Sequence, residues 1–211
     1  MEWNDIVGFE DGRLEWFNGE PEEWELTKEG TMKMKPSDRK DFWKRTYYDP
    51  PIDKASAECF GAEVPMEGEY TVAVTMELDA VSQFDQAGLV VYCDEDHWMK
   101  TGIEVVDGRP MLSCVVTNSY SDWSTQPFPV GRGSSVALRL RVHKRGANLV
   151  VEWAPVSDDT WSFIRIAHLS YPPNVPPRLG VLACCPTVQH GCEARFREFS
   201  ITKGSVFGHK A

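Results

Sequence analysis

The sequence has few basic residues and no long apolar run, and each absence excludes a class of protein. Lysine and arginine number 22 against 32 aspartates and glutamates, which gives a formal net charge of −10. Nucleic-acid-binding domains carry a basic patch or stripe. A membrane-spanning helix needs about 20 mostly apolar residues, and no stretch of this chain approaches that length. We therefore expect neither a nucleic-acid nor a membrane partner.

An export signal and the common catalytic motifs are also missing. The first five residues, Met-Glu-Trp-Asn-Asp, contain two acids and no base, where a secretory signal is basic and then apolar. The expected location is the cytoplasm, with the nucleus as the alternative, and the six cysteines are expected to be reduced in either. Neither a Gly-x-Ser-x-Gly elbow nor a phosphate-binding Gly-x-x-x-x-Gly-Lys motif occurs.

Apolar residues instead recur at every second position. In residues 70–78 every even position is apolar and most odd positions are polar or small, and residues 136–142 alternate in the same way. Strict alternation gives a strand one dry face and one wet face. Asp-Gly at 107–108 and Arg-Gly at 145–146 separate such runs, as the turns of hairpins do.

The chain therefore predicts an all-β fold, an antiparallel sandwich of two packed sheets. Residues 87–93 are continuously apolar, which is typical of a central strand covered on both faces. Further predicted strands are 13–17, 23–27, 31–35, 56–63, 97–105, 111–117, 148–154, 161–167, 179–185 and 193–202.

One predicted strand, residues 98–105, carries an unusual polar face. Its odd positions suit the core between the sheets, so its even positions must face the other way. The even positions are Trp98, Lys100, Gly102 and Glu104, and the odd ones are Met99, Thr101, Ile103 and Val105. This strand is the best candidate for a binding site, because one row on it holds an aromatic ring, a cation, a gap left by glycine and a carboxylate.

Four segments carry a family resemblance: residues 84–92, 98–104, 42–48 and 121–124. With the motif Trp-x-Lys-x-Gly-x-Glu at 98–104, they resemble the regulation-of-enolase protein family, a domain of unknown function with a concanavalin A-like lectin/glucanase fold. The resemblance covers about residues 8–202 and implies one jelly-roll domain there, with a concave sheet and short tails at 1–7 and 203–211. Fold relatives include sugar binders and glucanases, which raises the expectation of a carbohydrate ligand.

The first functional hypothesis is a non-catalytic intracellular module that binds a carbohydrate or another small polar ligand on its concave sheet. Sugars need flat aromatic rings for their apolar faces and planar polar groups for their hydroxyls. The stacking candidates are Trp43, Tyr92, Trp98 and Trp123, and the polar candidates are Arg45, Lys100, Glu104 and Asp122, with Asp85 and Gln86 beside them.

Two alternatives remain open. The first is a regulatory protein-interaction domain, whose partner would meet the acidic segment 1–29; this segment holds ten acidic residues against two basic ones. The second is a glycoside hydrolase that uses Glu104 and Asp122 as its two carboxyl groups. The Glu-x-Asp-x-Glu signature of glucanases with this fold fails here, because Val81 follows Glu77 and Asp79 in the third place. We expect no catalytic residue and favour a non-enzymatic role.

Two segments contain metal-ligating residue types, but no metal or cofactor is expected. Residues 94–97, Asp-Glu-Asp-His, offer oxygen ligands for calcium, yet they lack the spaced ligands and glycine of a calcium loop and fit a hairpin turn better. Cys184, Cys185, His190 and Cys192 offer a zinc set. Adjacent cysteines in a strand point to opposite faces, so reduced cysteines that fill space are favoured there.

Overall fold

The structure, a computed structural model, describes residues 3–129, 135–187 and 192–208. These residues form seventeen strands and no helix, and so none of them belongs to a helix that could span a membrane. In chain order the strands are β1 (Ile6–Val7), β2 (Glu15–Phe17), β3 (Glu23–Leu26), β4 (Met32–Lys35), β5 (Phe42–Lys44), β6 (Asp53–Ala55), β7 (Glu58–Glu63), β8 (Glu69–Asp79), β9 (Gln86–Asp94), β10 (His97–Val106), β11 (Arg109–Asn118), β12 (Tyr120–Pro127), β13 (Ser135–Arg145), β14 (Asn148–Ala154), β15 (Ser162–His168), β16 (Arg178–Cys184) and β17 (Glu193–Lys203).

Two large antiparallel sheets form a jelly-roll sandwich, which confirms the predicted fold class. The eight-stranded sheet runs β15-β14-β13-β8-β17-β4-β3, with β1 beside β17. The seven-stranded sheet runs β12-β11-β10-β9-β16-β7-β2. The apolar run predicted to be central is β9, which lies between β10 and β16.

The main core fills the space between the sheets, where the alternating apolar residues meet. The even positions of β8 and β13, such as Val72, Met76, Leu138 and Val142, are fully buried there. The Asp-Gly turn at 107–108 joins β10 to β11, as the sequence predicts. The turn between β13 and β14 is shifted by one residue from the prediction to Gly146-Ala147, because Arg145 still pairs with Asn148.

A short hairpin, β5–β6, lies outside both large sheets. It covers one end of the outer face of the seven-stranded sheet and forms a second apolar cluster with it. This cluster includes Phe17, Phe42, Val90, Trp98 and Val115. The hairpin therefore determines which part of the outer face stays open.

The N-terminal residues also pack on the sandwich. Ile6 is fully buried and pairs with Ile201 of β17, while Trp3 makes an edge contact with the ring of Tyr70 at 5.5 Å. The tail expected at residues 1–7 thus contains a paired strand and a core side chain.

Candidate ligand-binding site

The two faces of β10 are divided as the alternation predicts. Met99 and Ile103 lie in the core between the sheets, and Trp98 lies in the second cluster on the outer face. Lys100 pairs with Val90 and Val115, which also belong to that outer cluster. Trp98, Lys100, Gly102 and Glu104 therefore form one row on the outer face.

Glycines leave part of this face bare. Gly88 and Gly102 face each other across β9 and β10. A Cβ at Gly102 would lie 2.0 Å from the carbonyl oxygen of Ala87, and one at Gly88 would lie 1.9 Å from that of Thr101, so neither position accepts a side chain. The result is a shallow recess beside Lys100 and Glu104.

Trp98 is not a stacking platform, which corrects the sequence expectation. Its ring has no exposed surface, because Phe42 of β5 stacks on it with ring centres 5.0 Å apart. Phe42 also stacks on Tyr92 at 5.8 Å. Tyr92 is half-buried in this cluster, where burial raises its pKa to about 12. The β5–β6 hairpin therefore occupies the place that a ligand would need to reach the Trp98 ring, and its Phe42 covers part of Tyr92.

Between the hairpin and the outer face of the sheet lies a pocket of about 160 Å³, which we call the aromatic pocket. It is lined by Asp41, Trp43, Tyr48, Ile52, Lys54, Phe84, Lys100, Glu104, Trp123, Pro186 and Thr187. Trp43 and Trp123 meet edge to face at 6.0 Å, and both are half-buried. Aromatic rings thus form the wall, and charged groups lie at the floor.

The floor is a connected polar network. The Lys100 ammonium donates to Asp41 Oδ1 at 2.9 Å. Glu104 Oε2 accepts from the Ser113 hydroxyl at 2.6 Å, and Ser113 Oγ accepts from the Trp123 indole N–H at 2.9 Å. The indole in the wall is therefore linked through Ser113 to the carboxylate in the floor.

Gln86 joins the two carboxylates. Its amide nitrogen lies 3.5 Å from both Asp41 Oδ1 and Glu104 Oε1, so these oxygens are at most twice that distance apart. The floor therefore presents two carboxylates and an ammonium to one small ligand, and the buried Gln86 amide lies beside them and donates to the Phe84 carbonyl at 3.0 Å. This set matches the hydroxyl groups of a sugar or a similar polar molecule.

Burial changes the ionisation of the floor residues. Desolvation raises the pKa of Glu104, and the charge of Lys100 offsets part of that shift. Desolvation alone would lower the pKa of Lys100, but the neighbouring carboxylates Asp41 and Glu104 outweigh it and raise the pKa. Lys100 is therefore an ammonium at neutral pH, held by its acidic neighbours.

Asp122 lies on the opposite face, which corrects another sequence expectation. It pairs with Val116 of the main core, while its neighbour Trp123 pairs with Val115 on the outer face. Its carboxylate forms an ion pair with Arg165 of β15 at 2.9 Å, across the edge of the sandwich. Glu104 and Asp122 cannot flank one glycosidic bond, so the hydrolase hypothesis loses its proposed pair.

Arg45 also lies away from the aromatic pocket. It follows β5 and contacts Asp53 at 3.1 Å and Asp96 at 3.3 Å. The buried Lys44 ammonium contacts the same two carboxylates. Arg45 thus ties the loop end of the hairpin to the turn after β9. Of the eight predicted site residues, the pocket gathers Trp43, Lys100, Glu104 and Trp123.

Four residues of the site were not predicted from the sequence: Asp41, Ser113, Tyr48 and Phe84. Asp41 comes just before a strand of three residues, where no periodicity signals its direction. Ser113 is the exception, because alternation along β11 could have placed it opposite Gly102, on the same face as Lys100.

The two segments with metal-ligating residue types differ in structure. Residues 94–97 form the turn between β9 and β10, where His97 Nδ1 contacts Asp94 Oδ1 at 2.8 Å. Of the cysteine segment, Cys184, Cys185 and Cys192 are buried, and His190 lies outside the described residues.

Solved structures share this architecture. A functionally unknown protein from Saccharomyces cerevisiae matches with a TM-score of 0.78 and 30% identity, covering 92% of this chain and 97% of that one. A xylan β-1,4-xylosidase from Bacillus halodurans C-125 matches with a TM-score of 0.63 at 12% identity, over 90% of this chain and 39% of the xylosidase. At 12% identity, the similarity to the xylosidase shows a shared fold and nothing more.

Sequence comparison gives relatives along most of the chain. Regulation of enolase protein 1 of Saccharomyces cerevisiae is 34% identical over 174 residues, which is 82% of each chain. An uncharacterized protein of Emericella nidulans is 26% identical over 68% of this chain and 73% of its own. The family model described as "Protein of unknown function (DUF1349)" matches residues 16–204. The chain therefore belongs to the DUF1349 family, and the resemblance to regulation-of-enolase proteins is confirmed.

Proposed function

We propose that this protein binds a small polar ligand in the aromatic pocket and that a sugar ring is the chemistry that fits best. The observation that carries the proposal is the chain of hydrogen bonds from the Trp123 indole through Ser113 to Glu104, beside the Lys100–Asp41 ion pair. An aromatic wall next to planar polar groups is what a sugar needs.

The size of the pocket limits the ligand. Its volume of about 160 Å³ is below the roughly 300–1,000 Å³ of sites for drug-sized molecules. A monosaccharide, or the end of a longer glycan, is therefore the expected occupant. Each aromatic contact adds only about 1 kcal/mol beyond area burial, so we expect weak binding, with a dissociation constant of about 1 mM.

Calorimetric titration tests this proposal. The probes are neutral monosaccharides, uronic acids, and β-gluco- and xylo-oligosaccharides, each added to the full chain. We expect at least one class to bind, with about tenfold weaker affinity for Trp123→Ala. Trp161→Ala is the matched control, because Trp161 packs over Arg141 of β13, on the other sheet. The proposal fails if no class binds or if Trp123→Ala leaves the affinity unchanged.

The second candidate function is regulation of an enzyme through protein contact. It is favoured by the relative named Regulation of enolase protein 1, and by the exposed acidic surface at residues 20–29. Some of these acids are in surface ion pairs, such as Glu25 with Lys33 at 2.6 Å. Surface pairs of this kind contribute only about 0–1 kcal/mol, so a basic partner can displace them.

This candidate is tested with purified enolase from the organism that encodes this protein. We expect complex formation in size-exclusion chromatography and a change in enolase rate when this protein is added. Charge reversal at the exposed Glu22 and Glu29 should weaken both effects. No complex and no rate change at micromolar concentrations of both proteins would remove this candidate and leave the sugar proposal untouched.

A further inference from the structure

Three buried ligand-type residues meet outside the aromatic pocket. Asp85, Cys185 and Cys192 each offer one ligand atom, and these atoms all lie within 4.8 Å of one another. Asp85 and Cys185 have no exposed surface, and Cys192 is 2% exposed. The sulfur atoms of the two cysteines are 3.2 Å apart.

Only one of the two oxygens of the Asp85 carboxylate is hydrogen-bonded. Its Oδ2 accepts hydrogen bonds from the backbone N–H groups of Val81 and Ser82, both at 2.8 Å. Its Oδ1 is buried and has no hydrogen-bond partner within the part of the chain that the structure describes. A buried carboxylate oxygen without a partner is costly, so this atom points to a missing cation or donor.

The two cysteines are held in place by backbone hydrogen bonds. The backbone N–H of Cys192 donates to Cys185 Sγ at 3.0 Å, a contact that favours a thiolate. Cys185 is anchored in turn, because its carbonyl oxygen accepts from the Arg39 N–H at 2.9 Å.

We propose that Asp85, Cys185 and Cys192 form a binding site for a divalent cation of the zinc type. Two thiolates and one carboxylate are ligands that zinc accepts, and three protein ligands leave a fourth position for water. Zinc–sulfur bonds of about 2.3 Å place two tetrahedral sulfurs about 3.8 Å apart, so the thiols, which are 3.2 Å apart, need to separate by about 0.6 Å. Binding releases the two thiol protons to solvent.

A groove gives the cation a path to this site. Cys192 lines a groove of about 510 Å³ together with Glu22, Glu23, Lys35, Ser37 and Asp38. The acidic side chains at its mouth attract cations. Of the three proposed ligands, Cys192 lines the groove, and the ligand atoms of the fully buried Asp85 and Cys185 lie within 4.8 Å of its sulfur.

Cobalt is a spectroscopic probe for this site. The full chain, reduced and freed of metal with a chelator, is titrated with Co²⁺ and then with Zn²⁺. We expect one equivalent of Co²⁺ to produce visible bands of tetrahedral cobalt and a near-ultraviolet thiolate charge-transfer band, both abolished by Zn²⁺. Zn²⁺ should also raise the melting temperature of the chain.

Variants assign the ligands. Cys192→Ser and Cys185→Ser should remove the charge-transfer band, and Asp85→Asn should weaken Co²⁺ binding at least tenfold. Cys93→Ser, at a buried cysteine of the main core, should bind like the wild type. A reduced wild-type chain that gives no thiolate–cobalt band overturns the proposal, whether or not the variants fold. The proposal is also overturned if Cys185 and Cys192 form a disulfide that persists in reductant, or if the thiolate charge-transfer band is still present in Cys192→Ser.

Discussion

At the scale of single residues, Lys100 is the most informative position in the floor of the aromatic pocket. Its side chain is 6% exposed, and it pairs with Asp41 at 2.9 Å. We expect Lys100→Met to lower the free energy of unfolding by about 3–5 kcal/mol, because the buried Glu104 and the half-buried Asp41 are left without their cation. Lys33→Met, which breaks an exposed pair with Glu25, should cost less than about 1 kcal/mol. Equal losses in urea unfolding would contradict this account.

Glu104 should make stability depend on pH. Its folded pKa is raised above the ordinary value of 4.5, mainly by burial. Between the ordinary and the raised pKa the folded state binds more protons than the unfolded state, so the stability contribution of Glu104 falls as pH rises through this window. In Glu104→Gln this decrease of stability with pH should be absent. Urea unfolding of the wild type and the variant from pH 4 to pH 8 measures the difference. A difference between the two proteins that stays constant with pH would contradict the assignment.

At the scale of elements, the β5–β6 hairpin decides which part of the outer face is closed. Phe42 is fully buried against Trp98 and Tyr92. Phe42→Ala should cost about 3–5 kcal/mol in urea unfolding and make Trp98 accessible to acrylamide quenching. Tyr47→Ala, in the same hairpin at a side chain that is 91% exposed, should change neither quantity. Unchanged quenching in Phe42→Ala would show that the hairpin does not cover Trp98.

The elements also show how far the sequence predicts the fold and the site. Strands such as β8 and β13 could be predicted because their alternation is long, and the outward direction of Lys100 and Glu104 follows from the same rule. The strands β5 and β6 have three residues each, too few for a period. Alternation tells which face a side chain takes but not what covers that face, and so it could not foresee that Phe42 buries Trp98.

The edge strand β12 was missed for a different reason. It pairs with β11 on one side only, and its sequence from Tyr120 to Pro127 is mostly polar, because much of it faces solvent. Without a strong apolar period, the face of Asp122 was assigned wrongly. Its ion pair with Arg165 joins two strands that are far apart in sequence, which no local pattern indicates.

At the scale of the whole molecule, the folded unit begins before residue 8. Ile6 is fully buried and its neighbour Val7 is 77% exposed, although both lie in β1. Ile6→Ala should cost about 2–5 kcal/mol in unfolding free energy, and Val7→Ala should stay within about 0.5 kcal/mol. If both substitutions are neutral by urea unfolding, the N-terminal residues are a tail and the domain starts later.

The central claim, that the aromatic pocket is a ligand site, is tested most directly by the indole N–H signals of the tryptophans in a ¹H–¹⁵N spectrum. The Trp123 indole bonds Ser113 in the pocket, whereas the Trp98 indole bonds the Glu95 carbonyl at 3.2 Å beneath the hairpin. Titration with the monosaccharide panel should shift the Trp123 signal in a saturable way and leave the Trp98 signal in place. A Trp123 signal that no sugar moves would contradict the account.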